Sequence, residues 1–130
     1  MTFLAHGQTP TLLFEDAGHQ LFNQFIDPDD IGIVLREKVV LEAEDLPSLL
    51  TLWLNTLLHF VTDQNMVFRE FRLLELKTPS SGPASLQSEL LGEHIDTYRH
   101  SFRIEINSNL SVSGSLKSDP RGLKASLMLK

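Results

Sequence analysis

Leu46-Pro47-Ser48-Leu49-Leu50-Thr51-Leu52-Trp53-Leu54-Asn55-Thr56-Leu57-Leu58-His59-Phe60-Val61 carries the clearest periodic signal in the chain. Leu46, Leu49, Leu50, Trp53, Leu54, Leu57, Leu58 and Val61 recur at three- and four-residue spacing, which puts them on one face of a helix. So wide a stripe needs a covering layer, and it is read as core rather than as a face kept open for a partner helix. Upstream, Thr9 predicts a helix N-cap with Pro10 at the first helical position, where its missing N–H costs nothing. Leu13, Phe14, Ala17, Leu21, Phe22 and Phe25 form that helix's stripe, which is expected to end near Asp27-Pro28-Asp29-Asp30. The two stripes need each other, so Leu46, Leu50, Trp53 and Leu57 are expected to share one core with Phe14 and Phe25.

Strands are expected around the helices. Ile33 to Ala43 is rich in Val and Leu, with Arg36, Glu37 and Lys38 among them, and Met66 to Lys77 follows Asp63-Gln64-Asn65. The polar loop Thr78-Pro79-Ser80-Ser81-Gly82-Pro83 is too short to link domains and is read as joining adjacent strands. Strict alternation resumes at Phe102, Ile104 and Ile106, continues through Leu110 and Val112, and closes with Leu123, Ala125, Leu127 and Leu129. The fold class expected is α+β, two helices packed on an antiparallel sheet, in a single domain spanning residues 1–130. A length of 130 residues with 42% hydrophobic side chains is enough for one continuous core.

Charge and composition narrow the function. Seventeen Asp and Glu stand against eleven Lys and Arg, a formal charge of −6. The nearest thing to a basic run, Arg69, Arg72 and Lys77, is interleaved with Glu70 and Glu75, so direct nucleic-acid binding is not expected. Cysteine is absent, which removes disulfides, thiol nucleophiles and thiolate metal sites and fits a cytoplasmic protein. Met1 to His6 has neither the basic run nor the apolar stretch of a secretory signal, and no apolar run approaches membrane-spanning length. A soluble cytoplasmic protein without membrane contact is expected.

Catalytic motifs are lacking. No Gly-x-Ser-x-Gly elbow occurs, and no Gly-rich loop follows a strand and opens a helix, so catalysis by this chain alone is not expected. The richest polar constellation is Glu93, His94, Asp96 and His100, of which Glu93, Asp96 and His100 are the candidate ligands for a metal such as Zn²⁺ or Mn²⁺. The same residues have a structural reading: a loop containing Gly92 in which Asp96 makes an Asx-type turn and Arg99 pairs with Glu93. Tight ligand spacing such as His-x-x-x-His is missing, which favours the structural reading. His19 and His59 lie off their apolar stripes and read as solvated, and His6 precedes a turn at Gly7.

Three stretches resemble the archease family. Ala5-His6-Gly7-Gln8-Thr9-Pro10-Thr11-Leu12-Leu13-Phe14-Glu15-Asp16-Ala17, running on to Leu21-Phe22, is similar to the family's strand, helix cap and core stripe. Glu44-Asp45-Leu46 through Leu49-Leu50 to Trp53-Leu54-Asn55, then Leu57-Leu58 and Phe68-x-x-Phe71, resembles its second helix and following strand. Gly92-Glu93-x-x-Asp96-x-x-Arg99-His100, then Glu105-Ile106, is similar to a loop and strand of the family. The resemblance implies a fold of the strand-helix-strand-strand (SHS2) type. It also implies a non-catalytic protein cofactor or chaperone that assists an RtcB-type RNA ligase in tRNA splicing, promoting guanylylation of the ligase's active-site histidine.

The chain departs from the family at the positions that resemblance makes functional. The family's acidic Asp-His-Thr-Ala-Asp motif, part of its divalent-cation site, would fall before Met1 in this register. Lys130 stands where the family has a terminal Asp, Asn107 where it has a Lys after the Glu-Ile pair, and Ser111 and Val112 where a polar and an aromatic residue are common. An ammonium in place of a carboxylate opposes a cation. The expectation is therefore a degenerate metal site, no bound cofactor and no divalent cation held near Lys130. Either the chain is a degenerate paralogue or its true start lies upstream, and the substitution at Lys130 favours the first. The alternative function is a structural or regulatory interaction module that kept the fold and lost the activity.

Overall fold

Both helices begin at a capping side chain. In the computed structural model, which describes residues 1–107 and 109–130, the Leu12 N–H donates to Thr9 Oγ1 at 3.2 Å ahead of α1 (Pro10–Asn23). The Ser48 N–H donates to Asp45 Oδ1 at 2.8 Å ahead of α2 (Leu46–Gln64). That backbone N–H also holds the Asp45 carboxyl below the usual range. Helix α2 stops at Asn65, whose φ of 55° and ψ of 45° turn the chain left-handed, a conformation Asn tolerates. Helix α1 ends earlier than its stripe, which ran on to Phe25. The chain tightens after Asn23, and the amides of Phe25 and Ile26 bond the Phe22 carbonyl, so Phe25 keeps its place in the core beyond the helix proper.

Among the described residues six strands complete the fold: β1 (Thr2–Gly7), β2 (Leu35–Ala43), β3 (Met66–Lys77), β4 (Ala84–His94), β5 (Val112–Asp119) and β6 (Gly122–Leu129). The expected α+β architecture is present, with its antiparallel strands divided between two three-stranded sheets, β1-β6-β5 and β2-β4-β3. Helix α1 packs on β1, β6 and β3, and α2 packs on β5, β2, β3 and β4. The helix pair is thus the layer common to both sheets. The polar loop 78–83 joins the neighbouring strands β3 and β4, as its length required.

One apolar cluster fills the space between these layers. Trp53, Phe14, Phe22, Phe25, Leu50 and Leu57 are all buried in it, while Leu46 is half-buried against its rim. The Trp53 indole N–H donates to the Phe14 carbonyl at 3.0 Å, so the largest core residue leaves no donor unmet. Phe22 lies 4.9 Å from Phe25 and 5.3 Å from Phe71, centroid to centroid, in tilted contacts. Phe71 approaches α1 at Gly18, where a Cβ would stand 2.9 Å from the ring; glycine is what lets this helix face close on β3.

Two expectations need correction. Phe102 to Ile106 is not a strand: the Arg103 N–H donates to the Phe25 carbonyl, and no ladder partner is present. Phe102, Ile104 and Ile106 still pack half-buried against the core, so the alternation reported burial on one side and not pairing. The Arg103 guanidinium meets the carbonyls of Asn23 and Ile26, supplying at the end of α1 the positive charge its last turn lacks. Gly92, Glu93 and His94 are not in a loop but form the last three residues of β4. Ser108, within the stretch expected to carry the alternation from Ile106 to Leu110, lies outside the described residues.

Candidate functional site

Strand β4 runs between β2 and β3, and its final turn of sequence points Glu93 inward. Gly92 makes this possible: a Cβ there would lie 1.9 Å from the Val67 carbonyl oxygen, beside the register shift between Phe68 and Glu70. The alternation that buries Glu93 leaves His94 exposed on the other side, so His94 does not join the constellation.

Glu93, 7% exposed, is surrounded by donors. Its Oε2 accepts the Gly32 N–H at 2.5 Å and faces His100 Nε2 at 3.0 Å, while Oε1 accepts from the Arg99 guanidinium. Asp96 Oδ1 accepts the Tyr98 N–H at 3.0 Å, the Asx turn expected, and Oδ2 accepts Arg99 Nε at 3.2 Å. The Asp96 N–H donates to His100 Nδ1 at 2.8 Å, and the His100 N–H returns to the Asp96 carbonyl at 2.7 Å. An Nδ1 that accepts carries no proton, so the ring proton sits on Nε2 and points at Glu93.

These contacts fix the electrostatics. The Arg99 hydrogen bond, opposed by burial and helped by the Gly32 amide and His100, pulls the Glu93 carboxyl down to about 2. The Tyr98 amide and then Arg99 lower Asp96. Both ring nitrogens of His100 and both oxygens of Glu93 are engaged within the network. The structure thus brings Glu93, Asp96, Arg99 and His100 together as a brace that ties β4 to the loop after it and to Gly32. Sequence reasoning found the Glu93–Arg99 pair and the Asx turn but missed Gly32, since a backbone donor 61 residues away leaves no side-chain signal.

Lys130, which the sequence reading set against a carboxylate, follows β6 beside the start of β1. There Met1 and Leu129 exchange backbone bonds of 3.2 and 2.8 Å, and Ser111 and Lys130 exchange bonds of 3.2 and 3.0 Å. Asn107 Oδ1 accepts the Asn109 N–H at 2.9 Å. Lys130, Asn107 and Ser111 offer no anionic oxygen from their side chains, and a hard divalent cation does not fit them. Among the described residues, no group of three or more His, Asp and Glu is arranged to hold a metal ion. Asn55 is the other polar residue the sequence did not flag. From α2 its side chain donates to the Val112 carbonyl at 2.8 Å and accepts the Val112 N–H at 2.9 Å, copying a strand's pairing and fixing where β5 begins.

The two-sheet α+β scaffold has a polar centre satisfied from within, its buried carboxylate serving the fold. The archease protein family matches residues 1–125. The protein archease of Methanosarcina barkeri is 35% identical over 106 residues, covering 82% of this chain and 72% of the relative. That of Methanosarcina mazei is 31% identical over 127 residues, covering 98% and 86%. The solution structure of Methanobacterium thermoautotrophicum protein 1598 superposes with a TM-score of 0.68 at 20% identity, covering 98% of this chain and 87% of that one, a likeness of fold. This chain belongs to the archease family. No helix among the described residues is long and apolar enough to cross a membrane.

Proposed function

We propose that this chain is a cytoplasmic protein partner of an RtcB-type tRNA-splicing RNA ligase, one that keeps the family's docking scaffold while its divalent-cation site is degenerate. The observation that carries the reading is a contrast within one fold. The stripes of α1 and α2, the Trp53 anchor and the Glu93–Arg99–His100 brace are all in place. The end of β6, by contrast, carries Lys130 where resemblance puts a carboxylate. A cofactor that places a cation at a ligase's nucleotide site depends on preorganised charge, and an ammonium there inverts the sign. The SHS2-type scaffold would then serve for binding, as scaffolds outlast the chemistry grafted on them.

The substitution at Lys130 favours a second reading from another class, an interaction module that regulates a partner without activating it. One titration separates the two. Purified chain is added to an RtcB-type ligase without RNA and complex formation is followed by sedimentation velocity. A stable complex supports the ligase reading, and its absence where an archease with intact acidic motifs binds points to a different partner.

A further inference from the structure

The small sheet brings together lysines that lie apart in the chain, with a histidine beside them. His6 is registered opposite Lys124, and Lys124 opposite Lys117, so three neighbouring strands carry His6, Lys124 and Lys117 in one row. Residues so paired share a face, with Cβ atoms about 4.5–5.5 Å apart. Away from the β5–β6 turn the next rows on that face are Leu4, Ser126 and Ser115, then Thr2, Met128 and Ser113, with no carboxylate among them, while towards the turn the next row sets Asp119 opposite Gly122. Arg121 stands in the turn between β5 and β6, and Lys130 continues the same alternation past Met128. Residues 112–130 thus hold Lys117, Arg121, Lys124 and Lys130 against Asp119 alone, while the other residues hold seven Lys and Arg against sixteen Asp and Glu.

The cations elsewhere are largely spoken for. Arg36, Arg69, Arg72, Lys77 and Arg99 form ion pairs, and Arg103 sits on helix carbonyls. Among the described residues none of the four in 112–130 is in an ion pair. Asp119 accepts the Arg121 N–H at 2.8 Å and Asp16 the His6 N–H at 2.8 Å. Lysines directly opposite one another repel, and among the described residues neither Lys117 nor Lys124 is in an ion pair.

We propose that this face is a contact surface for the phosphodiester backbone of RNA. Lysine binds phosphate as a point charge, and the hydroxyls of Ser113, Ser115, Ser126 and Thr2 are donors of the kind that meet phosphate oxygens. The face has no aromatic ring for bases to stack on, so it contacts backbone and reads no sequence. Choosing RNA among polyanions rests on the ligase reading above; the cation row does not. The basic cluster that a linear reading fails to find is created by the register, which folds Lys117 onto Lys124 across the Asp119-Pro120-Arg121-Gly122 turn.

The test is fluorescence anisotropy of a labelled single-stranded RNA of about 20 nucleotides, titrated with the chain alone from about 20 to about 200 mM salt. Binding is expected at low salt, with log K falling against log salt at a slope of about −2 to −3, the value for three or four phosphates on a single strand. Lys117→Glu should weaken binding about tenfold at low salt and flatten the slope by about 1. The same variant turns a repulsive pair into an attractive one, so its thermal midpoint should equal or exceed the parent's. Lys38→Glu, on the other sheet, should leave RNA binding unchanged. The proposal is overturned by no binding at the lowest salt, or by binding that Lys117→Glu leaves intact. It is also overturned if Lys117→Glu instead abolishes self-association in sedimentation, or adhesion to phosphatidylserine vesicles, while RNA goes unbound. The ligase is absent from this assay, so its outcome is separate from that of the docking measurement.

Discussion

Trp53 and Glu93 show how single residues hold this fold for different reasons. Trp53 is buried at the junction of α1 and α2, and its indole N–H is satisfied by the Phe14 carbonyl. Truncation to Ala removes a large apolar surface and opens a cavity, so Trp53→Ala should destabilise the chain by about 3–5 kcal/mol in urea unfolding. Glu93 acts through charge. Its carboxyl titrates at about 2 in the fold against an ordinary 4.5, so unfolding takes up a proton wherever the pH lies between those values. The stability it contributes is complete above about pH 4.5 and is lost as pH falls towards 2. Glu93→Gln should cost about 1–3 kcal/mol at pH 7, towards the low end because Arg99 stands half in water. The parent and variant stability curves should then converge as pH falls through that window. Parallel curves from pH 7 to pH 2 would show that the brace carries no linked proton.

At the scale of elements, the helices were legible in the sequence because their signals are local. Thr9 with Pro10, and the recurrence of Leu and Phe at three and four, specify start and buried face without reference to the rest of the chain. Strands were legible only in part. Met66–Lys77 was read with its bounds intact, whereas Phe102–Ile106 alternates as a strand does and pairs with nothing, because alternation reports a one-sided core and pairing needs a partner edge. The role of Glu93 was half legible: Arg99 is near in sequence, but Gly32 and the burial of Glu93 depend on β4 lying between two strands. Asn55 was quoted for its place in a helix, and its bonds to Val112 cross 57 residues. Asn55→Ala should therefore leave α2 intact and release the start of β5. Hydrogen exchange should show the Val112 amide losing protection while amides of the β3–β4 ladder keep theirs. Protection unchanged at Val112 would mean that β6 alone holds the strand.

Across the whole molecule, the core and the brace are intact while Lys130 follows β6 and the small sheet sets Lys117 opposite Lys124, neither in an ion pair among the described residues. Such a distribution fits a protein that has kept the means to dock and changed the charge it delivers. The proposed function requires that this chain join an RtcB-type ligase without activating it. The most direct measurement is the time course of the covalent ligase–GMP adduct in GTP with Mn²⁺ or Mg²⁺. It is run with the chain alone, with an archease whose acidic motifs are intact, and with both together. The chain alone should leave the rate at that of the unassisted ligase, and in excess it should slow the stimulated reaction by occupying the shared docking surface. Robust stimulation by the chain as it stands would contradict the claim and place active groups elsewhere, with Glu93, Asp96 and His100 the first to be substituted.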